Sequence, residues 1–190
     1  MVIYQRPSCI KRAILKMNHT ELLNKLKAFE DKEVFFGPQG FKVVGKTAEL
    51  NKSQIGYSVD KNGKSLVDTA IGNWQTSWIV IAQDTELGDP YFVDLNDENL
   101  AVYTALAEEE NQWQQPTLVA STLSGFAQCL TIIHQQCQQK SAMYIPDESC
   151  IFDLEILETF GKKIVDVAET NDFWQNFFVG YVDWLRDEHV

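Results

Sequence analysis

Gly40-Phe-Lys-Val-Val-Gly-Lys-Thr47 matches the phosphate-loop pattern GxxxxGK[ST] letter for letter. That chemistry needs a loop whose backbone N–H groups curl around phosphate oxygens, set between a buried strand and a long helix. Here the loop positions hold Phe41, Val43 and Val44, which favour extended backbone, and Asn51 and Gly56 interrupt the helix that should follow. The octapeptide reads as strand plus turn, with no nucleotide site. Asp84, Glu86 and Asp89 offer oxygen ligands to a hard cation. A calcium loop, however, needs regularly alternating ligands and a closing bidentate Glu, and this hexapeptide has neither. Gly88-Asp89-Pro90 reads instead as a hairpin corner, with Gly88 free to take positive φ and Pro90 opening the next strand.

The other reactive residue types are scattered. His19 flanks a helix cap, His189 is in the tail, and His134 follows Leu130 by four residues at the edge of an apolar stripe. No Ser or Cys sits in a nucleophile motif such as GxSxG. Cys9, Cys129, Cys137 and Cys150 form no CxxC pair. Cys129 and Cys137 would lie about 12 Å apart along a helix, too far for a disulfide, so small thiols in a reducing cytoplasm are expected. No catalytic residue, metal site or cofactor is expected, and the chain reads as a non-enzyme.

Charge is the stronger signal. The 75 residues from Ser65 to Gln139 contain no Lys or Arg, yet hold ten carboxylates: Asp68, Asp84, Glu86, Asp89, Asp94, Asp97, Glu98, Glu108, Glu109 and Glu110. A folded surface of one sign is either a solubility device or a docking face for something basic. Trp113, three residues beyond the Glu108–Glu110 run, is either an interface anchor ringed by charge or a lid buried over a sheet. The candidate partner-binding residues are Asp84, Glu86, Asp97, Glu98, Glu108, Glu109, Glu110 and Trp113. The net charge of −11 disfavours binding to nucleic acid or to an anionic membrane, so a basic protein is the expected partner.

The elements that must carry these groups follow from periodicity. Asn18 and Glu21 have capping-box spacing before Leu22, Leu26 and Phe29, which predicts a helix over 19–30. Residues 1–17 hold four basic residues and no acid, with neither a signal-peptide core nor a membrane span. They are expected to be a dispensable extension. Strands are predicted at 33–36 and 41–44, at 55–59 before an Asn62-Gly63 turn, and then as a meander at 78–82, 91–95 and 100–103. Leu123, Phe126, Leu130, Ile133 and Cys137 mark a helix starting from Ser121. Pro146 opens another, expected to close at Gly161, and a last helix from Asp172 carries Trp174, Phe177, Phe178, Tyr181 and Leu185. A strand-rich middle between helical ends is α+β: an antiparallel sheet flanked by helices, with a helical C-terminal extension.

The middle of the chain also resembles the SUKH superfamily. The matching residues are Trp78-Ile-Val-Ile-Ala82, Gly88-Asp-Pro-Tyr-Phe-Val-Asp94, Ala101-Val-Tyr103, Trp113, and Val119-Ala-Ser121 leading into a helix with Phe126 and Leu130. The likeness spans about residues 33–137, and the Phe173-Trp174 helix is similar to a tail that some members carry. The LP-type motif and Gly-rich turn usual at the family's N-terminal side are not evident. The resemblance implies an SUKH-like domain over 18–140, with 141–190 packed on it as the extension. It also implies no catalytic site and no cofactor. Bacterial members look like immunity proteins of polymorphic toxin systems, and fungal members regulate cell-wall glucan synthesis. A cytoplasmic immunity protein is therefore the first expectation, and a regulatory scaffold the alternative.

Overall fold

The computed structural model describes residues 19–29, 33–109, 112–137 and 153–187. The meander is present. β1 (Glu33–Phe36), β2 (Gln39–Val43), β3 (Trp78–Asp84), β4 (Pro90–Asp94) and β5 (Val102–Thr104) pair in order. The chain then leaves the sheet for a small hairpin, β6 (Ala107–Glu109) with β7 (Gln112–Trp113), and returns as β8 (Thr117–Ala120) beside β5. Every pairing is antiparallel. The fold is α+β, as the patterning predicts.

Strand alternation gives the sheet two faces. Phe36, Phe41, Ile81, Tyr91, Val93 and Val102 point to the inner face and are buried there under helices. Those helices are α1 (His19–Leu26), extended by one 3₁₀ turn to Phe29, α3 (Leu123–Cys137), α4 (Leu154–Ala168) and α5 (Asp172–Asp187). Each presents one stripe. In α3 it is Leu123, Phe126, Leu130 and Ile133; in α4 Leu157, Phe160, Ile164 and Ala168; in α5 Trp174, Phe177, Tyr181 and Leu185. Phe36 stacks flat on Phe160 at 5.4 Å, and the Trp174 indole donates to the Val119 carbonyl at 2.8 Å. The C-terminal helices thus share one core with the sheet. The Asp153 carboxylate caps α4 by accepting from the Glu155 and Ile156 amides. Cys129 is buried on α3, and burial pushes its thiol up to about 12.

Two expectations need correction. Gly161 does not end a helix: it sits inside α4, where a Cβ would come within 3.3 Å of the Phe178 ring, so its bareness lets α5 approach. Residues 55–59 form no strand, only single bridges from Val59 to Ile55 and Ser65. The reason is Gln54, whose side-chain amide donates to the Val80 carbonyl at 2.9 Å and accepts from the Val80 amide at 3.0 Å. That amide fills the hydrogen-bonding position on β3 that a neighbouring strand would occupy. The phosphate-loop match is divided between β2 and a seven-residue helix, α2 (Thr47–Ser53). Gly40 is paired with Phe35 inside the sheet, leaving no loop to wrap a phosphate. The Asn18 cap, the Pro146 helix start and residues 1–17 lie outside the described residues.

Candidate functional site

The outer face of the sheet is covered by the irregular segment 54–77 and by the β6–β7 hairpin. Beneath them Tyr57, Trp74, Val80, Phe92 and Ala105 are buried, with Trp78, Tyr103 and Trp113 packed against them and partly exposed. The rings touch in sequence. Trp74 lies 5.3 Å from Tyr57, 4.9 Å from Phe92 and 5.2 Å from Trp113, and Trp78 lies 4.6 Å from Phe92. Trp113 is tied down further, since its amide donates to the Gly72 carbonyl at 2.7 Å. It is a lid with one part open to solvent.

The candidate carboxylates fall at opposite ends of this layer. β4 separates the two hairpin turns by five residues, roughly 16 Å of strand. At one end lie the 84–89 loop and the β6–β7 hairpin, which carry Asp84, Glu86, Glu108 and Glu109; at the other lies the 94–101 turn, with Asp97 and Glu98. Glu110 lies outside the described residues. Glu86, Glu98 and Glu108 are exposed and Asp97 partly so. The structure therefore brings the candidate residues together as two groups.

Asp84 stands apart from its group. It is only 7% exposed, and its Oδ1 accepts from the Glu86 and Leu87 amides, each at 2.8 Å. Its role is to hold the loop's shape while Glu86 and the 78%-exposed Leu87 face solvent. Tyr57 braces the same loop, donating to the Gly88 carbonyl at 2.7 Å and accepting from the Gln83 amide at 3.0 Å. Burial, and then the neighbouring Asp84 charge, raise the Asp89 carboxyl above its ordinary range.

The 94–101 turn is equally fixed. Asp97 Oδ1 accepts from the Asn99 amide at 2.9 Å and Oδ2 from the Ala101 amide at 2.9 Å, while Leu100 takes a left-handed φ of 51°. Asp94 Oδ1 accepts from the Asn96 amide at 2.8 Å. Both carboxylates stand near Tyr103, whose phenol is raised by burial first, then by Asp97 and Asp94. Asp94 lies opposite Trp78 in the β3–β4 register, and Phe92 opposite Tyr103 in β4–β5. Trp78, Asp94 and Tyr103 therefore share one outer patch. The sequence reading leaves Trp78, Asp94 and Tyr103 out of its candidate partner-binding residues. The usable signal is the alternation Phe92–Asp94, which puts a carboxylate beside an aromatic on the same face.

Elsewhere, α4 and α5 leave an apolar groove of about 500 Å³, with Leu157, Gly161, Val165, Phe178 and Val182 among its lining. Its rim charges are largely self-paired, Lys162 with Glu158 at 2.7 Å and Arg186 with Asp183 at 3.3 Å. Among the described residues no three His, Cys, Asp or Glu side chains converge to hold a metal ion. No helix among them is long and apolar enough to cross a membrane. No protein-family model matches this chain, and no curated protein or solved structure is detectably similar to it.

Proposed function

We propose that this chain is a cytoplasmic, non-catalytic binding module, an immunity protein that neutralises a cognate toxin domain by covering a basic active-site surface. One observation carries the reading: the outer layer sets carboxylates on backbone-braced turns around a partly open aromatic floor. No Lys or Arg occurs from residue 65 to 139 to neutralise them. The outer layer's described lysines are Lys61 and Lys64, in the separate Asp60 turn, and Lys42, which faces outward from β2 and pairs with Glu33 at 3.5 Å. A toxin that cuts or modifies nucleic acid must present a basic groove, and a rigid acidic surface competes for it. Complementary charge speeds encounter, and desolvated aromatics slow release. The resemblance to SUKH immunity proteins points the same way.

Co-expression with a candidate toxin gene adjacent to this one tests it. Growth should be rescued, and the two chains should co-purify. A poisoned culture with no complex would contradict the reading. The second reading, a regulatory scaffold in cell-wall assembly or signalling, draws on the separation of the two acidic groups, which leaves room for two partners. A scaffold should bind several proteins weakly, whereas an immunity protein should bind one tightly.

A further inference from the structure

We propose that Trp78, Asp94 and Tyr103 form a receptor for an arginine side chain of the partner. The inference rests on the protein-binding reading and names the contact that reading lacks. Across β3, β4 and β5 the outer face runs Trp78, Phe92, Tyr103. Phe92 is fully buried, and its ring lies 4.6 Å from Trp78 and 6.0 Å from Tyr103. The two flanking rings are partly exposed, whereas Phe92 is buried with Trp74 packed on it at 4.9 Å, so a cation would meet the flanking rings and not Phe92. Asp94 is the next outward-facing residue along β4 after Phe92, directly across from Trp78. Asp97 adds a second negative charge from the turn; burial first, then Asp97 and Asp94, raise the Tyr103 phenol, so it stays neutral and its oxygen can accept from a guanidinium N–H.

A planar cation fits such a place better than any neutral group. Aromatic faces attract cations, and guanidinium stacks on them while its fork reaches a carboxylate. Asp94 uses Oδ1 for the Asn96 amide, an arrangement that leaves Oδ2 for an incoming donor. Both rings and the carboxylate belong to hydrogen-bonded strands, so little order is lost when the cation arrives. The same seat suits a second copy of this chain poorly, because the surface around it is acidic.

The test uses acetyl-Gly-Arg-Gly amide as probe and its citrulline counterpart as a neutral control of the same shape. Each is titrated into the full-length ¹⁵N-labelled protein and followed at the indole N–H signals of the five tryptophans, assigned by through-bond spectra. The arginine peptide should shift the Trp78 signal and bind about 10-fold more tightly than the citrulline peptide. Asp94→Asn, which keeps an oxygen for the Asn96 amide, should remove most of that preference without lowering the melting temperature. Equal response to both peptides, or a preference that survives Asp94→Asn, would overturn the proposal. So would shifts confined to other tryptophans. The toxin rescue assay is scored separately. Arginine selectivity without rescue overturns the immunity reading alone, and rescue without arginine selectivity overturns the receptor alone.

Discussion

The two faces of this sheet are finished in different ways. The inner face is closed by α1, α3, α4 and α5, whose stripes bury Phe126, Phe160, Trp174 and Phe177 against Phe36 and Phe41. The outer face is closed by an irregular segment and a short hairpin, and it leaves Trp78, Tyr103 and Trp113 partly in solvent. Helices bring long apolar stripes and satisfy their own backbone, so the inner side gains burial at little cost in backbone hydrogen bonds. The irregular cover must instead anchor itself piece by piece, through the Gln54 amide on Val80, Trp113 on Gly72 and Tyr57 on Gly88. The difference separates two jobs: the inner face holds the fold, and the outer face, in the function proposed above, holds charge and aromatics in place for a partner.

Tryptophan deletions on the two faces should separate by size. Trp174→Ala removes a fully buried ring and orphans the Val119 carbonyl, so urea unfolding should show a loss of about 3–5 kcal/mol. Trp113→Ala should cost less, about 2–3 kcal/mol, because part of the ring is already hydrated. Equal losses would make the outer layer core, and the comparison would fail.

A third test belongs to the inner face alone. The Cys129 pKa is raised in the folded state to about 12, while an unfolded thiol titrates near 8.5. The thiol's contribution is therefore complete below about pH 8.5 and lost as pH rises toward about 12. The stability gap between the wild type and Cys129→Ala should narrow by about 2 kcal/mol from about pH 8 to about pH 10. A constant gap would mean that the thiol reaches solvent.

The smallest effect is expected at the phosphate-loop match. Lys46→Ala, an exposed change at the foot of α2, should move the melting temperature by about a degree or less. ATP should produce no saturable shift in either protein.

What the sequence disclosed follows from where local pattern and tertiary context agree. The β3–β4 apolar runs, the α3 stripe and the aromatic face of α5 all have buried partners of matching period, so spacing alone locates them. Gln54 is illegible because a side chain does a strand's work, and no periodicity marks that. Gly161 reads as a stop signal, since only the neighbouring Phe178 shows why a bare position belongs mid-helix. The β6–β7 hairpin is hidden in a run of glutamates that reads as solvated loop. The site was half visible: the acidic stretch announces itself, but the bulge between Val80 and Ala82 shifts the register. The pairing of Trp78 with Asp94 emerges only once the strands are aligned.

The central claim is that the outer layer steers a basic partner, and its most direct measure is the association rate with the co-purifying toxin as salt is raised. From about 50 mM to about 500 mM the Debye length shrinks from roughly 14 Å to roughly 4 Å. The association rate should fall at least about tenfold. Reversing Glu108, Glu109 and Glu110 to Lys should reproduce much of that fall at low salt, with the melting temperature held. An association rate indifferent to both salt and reversal would make the charge a solubility device and contradict the account.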